Sequence, residues 1–131
     1  MRKIVTNDDE RLYGERVTKL VKDTKHFGRM NAPTSSAYIK GPCGDEMEFY
    51  LVIKDKIIEE VKFYTEGCIT TRICGSMTAQ LALGKTVEDA LGISPRKVID
   101  LLKGLSENER HCSILAVSTL YKAIVDYLLA K

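Results

Sequence analysis

Apolar and polar residues alternate near the middle of the chain in a pattern that predicts two paired β-strands. Over residues 46–53 apolar side chains recur at every second position, which is the period of a strand with one buried face. Residues 57–64 are similarly rich in β-branched and aromatic residues. Because the polar connection between them is too short for a parallel crossover, we expect an antiparallel hairpin, preceded by a short strand over residues 37–40. The expected buried face of the first hairpin strand consists of Met47, Phe49, Leu51 and Ile53.

Helical spacing replaces this alternation from Cys68 onward. Thr86 and Pro95 suit the cap and the first position of helices, and Gly84 and Gly104 suit the positions just after helix ends. The predicted helices span residues 70–83, 86–91, 94–103 and 112–129, and a further helix is predicted over residues 7–25. The pattern therefore predicts an α+β fold, in which helices cover one face of a small antiparallel sheet and a long helix ends the chain.

The last predicted helix has the strongest apolar pattern, and a wide buried stripe is expected along it. The members of this stripe are Ile114, Leu115, Leu120, Tyr121, Ile124, Val125, Leu128 and Leu129. By contrast, residues 26–36 contain glycine, proline and serine and are expected to be irregular. His26 lies in this polar segment, so we expect it to be solvated or to cap a helix.

Composition narrows the class of protein. A chain of 131 residues with 44% hydrophobic and 29% charged residues is typical of one soluble globular domain, here residues 1–131. The formal net charge of +2 is small and the basic residues are interleaved with acidic ones, which argues against nucleic acid as a partner. We see neither a membrane-spanning run nor a signal peptide, so we expect a cytoplasmic protein whose thiols stay reduced.

Three of the four cysteines lie at predicted breaks between elements, in settings that suit metal or sulfur chemistry. Cys43 precedes Asp45 by two residues, a spacing that puts both side chains on one side of an extended backbone. Cys68 and Cys112 are expected to open helices, where the positive end of the helix dipole stabilises a thiolate. Taken singly, each is explained better by simple burial. Taken together, three thiolates with Asp45 or His111 supply four ligands, which suits tetrahedral zinc and a [2Fe–2S] cluster equally.

Helical geometry distinguishes the remaining candidates. His111 and Cys112 are adjacent, so on a helix their side chains point about 100° apart and are not expected to bind one metal ion in the same way. Cys74 follows Cys68 by six residues, about 240° around a helix, and is expected to be a core residue.

Four segments, taken in order, resemble the IscU/NifU-type iron–sulfur cluster assembly scaffolds. They are residues 41–47 (Gly-Pro-Cys-Gly-Asp-Glu-Met), 63–68 (Phe-Tyr-Thr-Glu-Gly-Cys), 84–90 (Gly-Lys-Thr-Val-Glu-Asp-Ala) and 111–116 (His-Cys-Ser-Ile-Leu-Ala). The resemblance implies a three-stranded antiparallel sheet surrounded by helices. It also implies the metal- and cluster-binding residues, which are Cys43, Asp45, Cys68, His111 and Cys112.

The resemblance further implies a scaffold, with no catalytic residues and no turnover of its own. In this family a cysteine desulfurase delivers sulfur to the cysteines, iron is added, and a [2Fe–2S] cluster is built and passed to apo-proteins. Many members carry Leu-Pro-Pro-Val-Lys as a handle for an Hsp70-type chaperone. Residues 105–109 here read Leu-Ser-Glu-Asn-Glu, so chaperone release through that handle is not expected. The helix after Cys68 also starts with Ile69 and Thr70 where the family has Gly-Ser.

Two alternatives to the scaffold are open. The first is a sulfur acceptor resembling SufU, in which zinc occupies the same residues in the cluster-free form. That group usually has an insertion between the second and third ligand cysteines, and the compact run of short helices predicted here favours the scaffold. The second is a structural metalloprotein, against which the strong strand and helix patterns away from the site argue, since such a core is expected to fold without metal.

Overall fold

The computed structural model describes residues 25–42, 44–102 and 110–130. Almost all of the helix predicted over residues 7–25 lies outside the described residues, as do Cys43 and residues 105–109. The predictions made for these parts of the chain therefore remain predictions.

The sheet has three antiparallel strands in the order β1-β2-β3. They are β1 (Ser35–Lys40), β2 (Glu46–Lys54) and β3 (Ile57–Tyr64), which confirms the predicted strands to within two residues. Asp55 and Lys56 connect β2 to β3 with φ angles of 53° and 65°. Two left-handed residues in a two-residue loop match the right-handed twist of the strands they join.

Burial along β2 follows the predicted alternation. Met47, Phe49 and Leu51 are fully buried on β2, and Ile53 is nearly so. On β3 the buried positions are Ile58, Val61 and Phe63. These side chains form the sheet face of a single core cluster to which the helices contribute the other half.

Four helices follow β3 in the described part of the chain. They are α1 (Ile69–Ala82), α2 (Val87–Ala90), α3 (Pro95–Leu102) and α4 (Arg110–Leu129), close to the predicted bounds. Thr86 caps α2 by accepting a hydrogen bond from the backbone N–H of Asp89 at 3.0 Å, as its sequence position indicated. α4 packs on β1 and β2, while α1 packs on β3 and α4. The fold is therefore α+β, with a long C-terminal helix lying across the sheet.

The buried stripe predicted on α4 is partly wrong. Leu115, Leu120 and Ile124 are buried, and Tyr121 is half-buried. The other four predicted members, Ile114, Val125, Leu128 and Leu129, are between 42% and 79% exposed. Small side chains take part in the buried face instead: Ser113, Ala116, Thr119 and Ala123. Which side of α4 is buried depends on how the helix packs against the sheet and α1. The apolar residues of α4 do not by themselves specify that packing.

By length and composition alone, α4 could also cross a membrane. Half of its most apolar window is buried inside the protein, and the helix packs on β1, β2, α1 and α3. These contacts are those of a core helix, and they account for its apolar content.

His26 is buried rather than solvated, so the prediction for it is wrong. Its ring Nδ1 lies 3.1 Å from the carbonyl oxygen of Val61. Its own carbonyl accepts a hydrogen bond from the N–H of Phe63, and the N–H of Gly28 donates to the carbonyl of Phe63, both at 2.8 Å. The short segment around Phe27 therefore pairs with the outer edge of β3, and covering that edge is what buries the histidine.

Gly75 lets α1 approach the sheet closely. A Cβ at this position would lie 2.6 Å from the ring of Phe63, a buried aromatic near the end of β3. We expect Gly75→Ala to lower the free energy of unfolding by about 2 kcal/mol through overpacking. Urea unfolding followed by circular dichroism measures this change.

Ser76→Ala provides the matched control for Gly75→Ala on the same helix. The Ser76 hydroxyl is buried and has no hydrogen-bond partner among the described residues. Removing it should leave stability unchanged or raise it. An equal unfolding midpoint for Gly75→Ala and the parent protein would contradict the predicted close contact.

Candidate metal centre

Three side chains from distant parts of the chain meet at one end of the sheet. Asp45 immediately precedes β2, Cys68 is the N-cap residue of α1, and Cys112 lies in the first turn of α4. The turn before β2 is closed by hydrogen bonds from Gly41 N to Asp45 O at 2.7 Å and from Gly44 N to Gly41 O at 3.0 Å. Gly44 has a φ of +95°, which glycine adopts without strain.

The ligand atoms of these residues form a compact group. One carboxylate oxygen of Asp45 and the Sγ atoms of Cys68 and Cys112 all lie within 4.8 Å of one another. Cys68 Sγ is 3.9 Å from Asp45 Oδ2. Sulfur ligands of a tetrahedral metal ion lie about 3.8 Å apart, given metal–sulfur bonds of about 2.3 Å. A small contraction of the group would therefore let it bind a metal ion or one iron of a cluster.

The three residues of the group differ in their exposure to solvent. Cys68 is exposed, Asp45 is half-buried, and Cys112 is 2% exposed. A species arriving from solvent therefore reaches Cys68 first. The buried Cys112 forms the floor of the site.

Thr71 lies at the centre of the group, and sequence analysis missed it. Its side chain is fully buried, and its hydroxyl donates a hydrogen bond of 2.5 Å to Asp45 Oδ2. The hydroxyl oxygen of Thr71 also lies 3.5 Å from Cys68 Sγ and 3.4 Å from Cys112 Sγ. The available signal was the spacing, because a residue three positions after a helix-opening cysteine lies on the same face.

The pKa values of the two thiols in the group are shifted in opposite directions. A hydrogen bond from the Cys112 thiol is the main cause that lowers the pKa of Cys68 to about 5, with Thr71 also lowering it. The sulfur makes no full capping hydrogen bond at the helix start, but the backbone N–H groups of Thr70 and Thr71 lower the pKa further. The pKa of Cys112 is raised, first because it shares its proton with Cys68 and second because it is buried.

The helix-start argument therefore holds for Cys68 and is wrong for Cys112. Within this coupled pair, the lowered pKa of Cys68 and the raised pKa of Cys112 favour the negative charge on Cys68. The dipole of α4 does not lower the pKa of Cys112 below its usual value, because the negative charge is better solvated on the more exposed Cys68 sulfur.

The other predicted site residues have different outcomes. Cys43 lies outside the described residues. His111 is exposed and its nitrogens are not in the compact group, whereas the adjacent Cys112 is buried, so the predicted divergence of the two side chains is confirmed. Cys74 is fully buried, which confirms it as a core residue.

Gly67 determines where the Asp45 carboxylate lies. A Cβ on Gly67 would be 2.8 Å from both Cγ and Oδ2 of Asp45, so only glycine leaves room for the carboxylate beside the sulfurs. Thr65 holds this junction: its hydroxyl donates to the carbonyl of Glu46 at 2.6 Å and accepts from the N–H of Gly67 at 3.0 Å. The ends of β2 and β3 are thereby fastened on either side of the site.

A cleft of about 280 Å³ opens beside Asp45, and neither Cys68 nor Cys112 lines it. Its charged lining residues are Asp45, Glu46, Glu48, Glu66 and Arg29. The only cationic group among them, Arg29, pairs with Glu48 at 3.0 Å, and this contact lowers the pKa of the Glu48 carboxyl. The surroundings of the site are therefore predominantly acidic, which favours positively charged species.

Comparison with known proteins relates this arrangement to a family. The family model described as the NifU-like N terminal domain matches residues 12–131. The iron-sulfur cluster assembly scaffold protein IscU 1 of Archaeoglobus fulgidus is 37% identical over 117 residues, covering 88% of this chain and 76% of the relative. The corresponding IscU of Aquifex aeolicus is 30% identical over 120 residues, covering 89% and 76%.

Solved structures share the fold. A protein from Fervidobacterium islandicum, described as a putative iron-sulfur cluster assembly scaffold protein for the SUF system, superposes with a TM-score of 0.72 at 20% identity, covering 88% of this chain and 98% of that one. A nitrogen-fixing NifU-like protein (N-terminal) from Brucella abortus gives a TM-score of 0.72 at 13% identity, covering 93% and 98%. With the family match over residues 12–131 and relatives at 30% to 37% identity, the chain belongs to the NifU-like N-terminal domain family.

Proposed function

We propose that this chain is a scaffold on which an iron–sulfur cluster, of the [2Fe–2S] type, is assembled and from which it is transferred to apo-proteins. The observation that carries the proposal is the convergence of Asp45, Cys68 and Cys112 within 4.8 Å at an accessible edge of the fold. The relatives named as IscU scaffold proteins support the same function, and a scaffold needs no catalytic residues.

The proposed ligands are Cys43, Asp45, Cys68 and Cys112, with His111 as an exchanging ligand. Three soft thiolates suit iron, and the harder carboxylate is the weakest of the four bonds. The exposed imidazole of His111, one residue from Cys112, is placed to replace the carboxylate when the cluster leaves. We propose that the domain, residues 1–131, acts in the cytoplasm.

Cys68 is the proposed sulfur acceptor, because it combines exposure with a thiolate at neutral pH. The Cys68 thiolate attacks the outer sulfur of a persulfide on a cysteine desulfurase. The new S–S bond forms on Cys68, the S–S bond of the desulfurase persulfide breaks, and the desulfurase cysteine leaves as a thiolate. The persulfide proton stays on the transferred sulfur, so the step requires no external oxidant or reductant.

Purification without oxygen, followed by metal and sulfide analysis, tests the function. We expect iron with an equal amount of acid-labile sulfide and a visible absorption spectrum that both disappear in Cys68→Ala and Cys112→Ala. Cys74→Ala is the matched control, because it removes a buried thiol of the same core without touching the compact group. Zinc without sulfide would contradict the scaffold and favour the SufU-like acceptor.

A further inference from the structure

Thr71 differs from two other buried threonines of the helices, Thr78 and Thr119. Thr78 on α1 and Thr119 on α4 each donate their hydroxyl to the carbonyl four residues earlier, Cys74 and Leu115 respectively, at 2.7 Å. That bond is the usual way to satisfy a buried helical threonine. The Thr71 hydroxyl instead donates to Asp45, so its proton goes to the site rather than to its own helix.

A hydroxyl has one proton to donate and two lone pairs. The shortest contact of the Thr71 hydroxyl is with Asp45 Oδ2 at 2.5 Å, and the two sulfurs lie farther from it, at 3.4 and 3.5 Å. One buried atom therefore contacts all three members of the compact group.

We infer that Thr71 is a positioning residue, whose hydroxyl holds the Asp45 carboxylate beside the Cys68 and Cys112 sulfurs so that the donor set is assembled before metal arrives. The inference rests on the proposed function, because it concerns the same site. A carboxylate has about four lone-pair directions, so Oδ2 can keep the hydroxyl while Asp45 still offers a lone pair to a metal ion. Hydrogen bonds of this kind to a metal ligand are typically worth 10- to 100-fold in metal affinity.

Anaerobic titration with Co²⁺ tests the inference, using the thiolate-to-cobalt charge-transfer absorption as the readout. Thr71→Val keeps the shape and removes the hydroxyl, so its Co²⁺ affinity should fall about tenfold or more. Thr71→Ser keeps the hydroxyl and should bind within about twofold of the parent protein, although it loses a buried methyl group and unfolds at a lower temperature. Thr78→Val is the matched control, since it removes a hydroxyl from the same helix away from the site.

The expected pattern distinguishes a positioning role from a folding role. Thr71→Val should stay folded and lose Co²⁺ affinity, whereas the less stable Thr71→Ser should keep it. Equal Co²⁺ affinity in Thr71→Val and the parent protein would overturn the role of Thr71 and leave the scaffold function intact. Affinity that falls in step with thermal stability across the variants would also overturn it. A parent protein that binds Co²⁺ without charge-transfer absorption would overturn the thiolate site itself, and with it both proposals.

Discussion

Cys68 is expected to react with iodoacetamide at almost the same rate at pH 6 and at pH 8. Its pKa is lowered to about 5, so the thiolate predominates at both values and the rate should rise by only about a tenth. A thiol with the ordinary pKa of 9.0 would react about ninetyfold faster at pH 8 than at pH 6. Because the pKa is lowered, the reactivity should fall only when the pH drops to about 5 and below.

Peptide mass spectrometry assigns the modification to Cys68 and distinguishes it from Cys43. Cys112→Ala removes the thiol that is the largest cause of the lowered pKa, so the rate in that variant should regain a steep dependence on pH. Cys74→Ala is the control and should behave like the parent protein. A rise of about ninetyfold in the parent protein would show that Cys68 is an ordinary thiol and would remove the reason for choosing it as sulfur acceptor.

Asp45→Ala is expected to slow the release of a bound cluster, by about tenfold. The bond between carboxylate oxygen and iron is weaker than the bonds to thiolate, so it is the bond at which release begins. Without Asp45 that position is left to a softer donor such as the exposed His111. Transfer to an apo-ferredoxin, followed by absorption, measures the half-life. Glu46→Ala is the control, because this neighbouring carboxylate accepts a hydrogen bond from Tyr38 and is outside the compact group.

Gly67→Ala provides an independent route to the same result, because it replaces none of the proposed ligand residues. Its Cβ would lie 2.8 Å from the Asp45 carboxylate and must displace it from the sulfurs. Gly67→Ala should therefore lengthen the cluster half-life as Asp45→Ala does, and the double variant should add nothing further. Gly41→Ala is the matched glycine control, since its Cβ meets only Leu115 and the Asp45 carbonyl at ordinary distances of 3.5 and 3.6 Å. Half-lives equal to the parent's in both Asp45→Ala and Gly67→Ala would contradict the role given to the carboxylate.

Local features of the sequence were sufficient for the elements of secondary structure. The strand of residues 46–53 was predictable because alternation of apolar residues is a property of consecutive positions. The starts of α2 and α3 were predictable because Thr86 and Pro95 act on the backbone next to them. The placement of Cys68 at a helix start followed from the same kind of signal.

Residues whose environment depends on distant segments were not predictable in this way. His26 is buried by its pairing with β3, more than 30 residues away in the chain. Ile114 and Leu129 are exposed because α4 turns other side chains toward the sheet. Neither outcome is encoded in the nearby residues.

By itself, the sequence determined which of the described segments are strands and helices, that Cys68 and Cys112 lie at the starts of helices, and which family the motifs resemble. The tertiary structure decided that Asp45, Cys68 and Cys112 converge, that Cys68 rather than Cys112 carries the charge, and that Thr71 connects them. The physical reason is range. Helix and strand preferences act between neighbouring residues, whereas hydrogen bonds, proton sharing and desolvation depend on distances in space that exist only once α1 and α4 pack against the sheet.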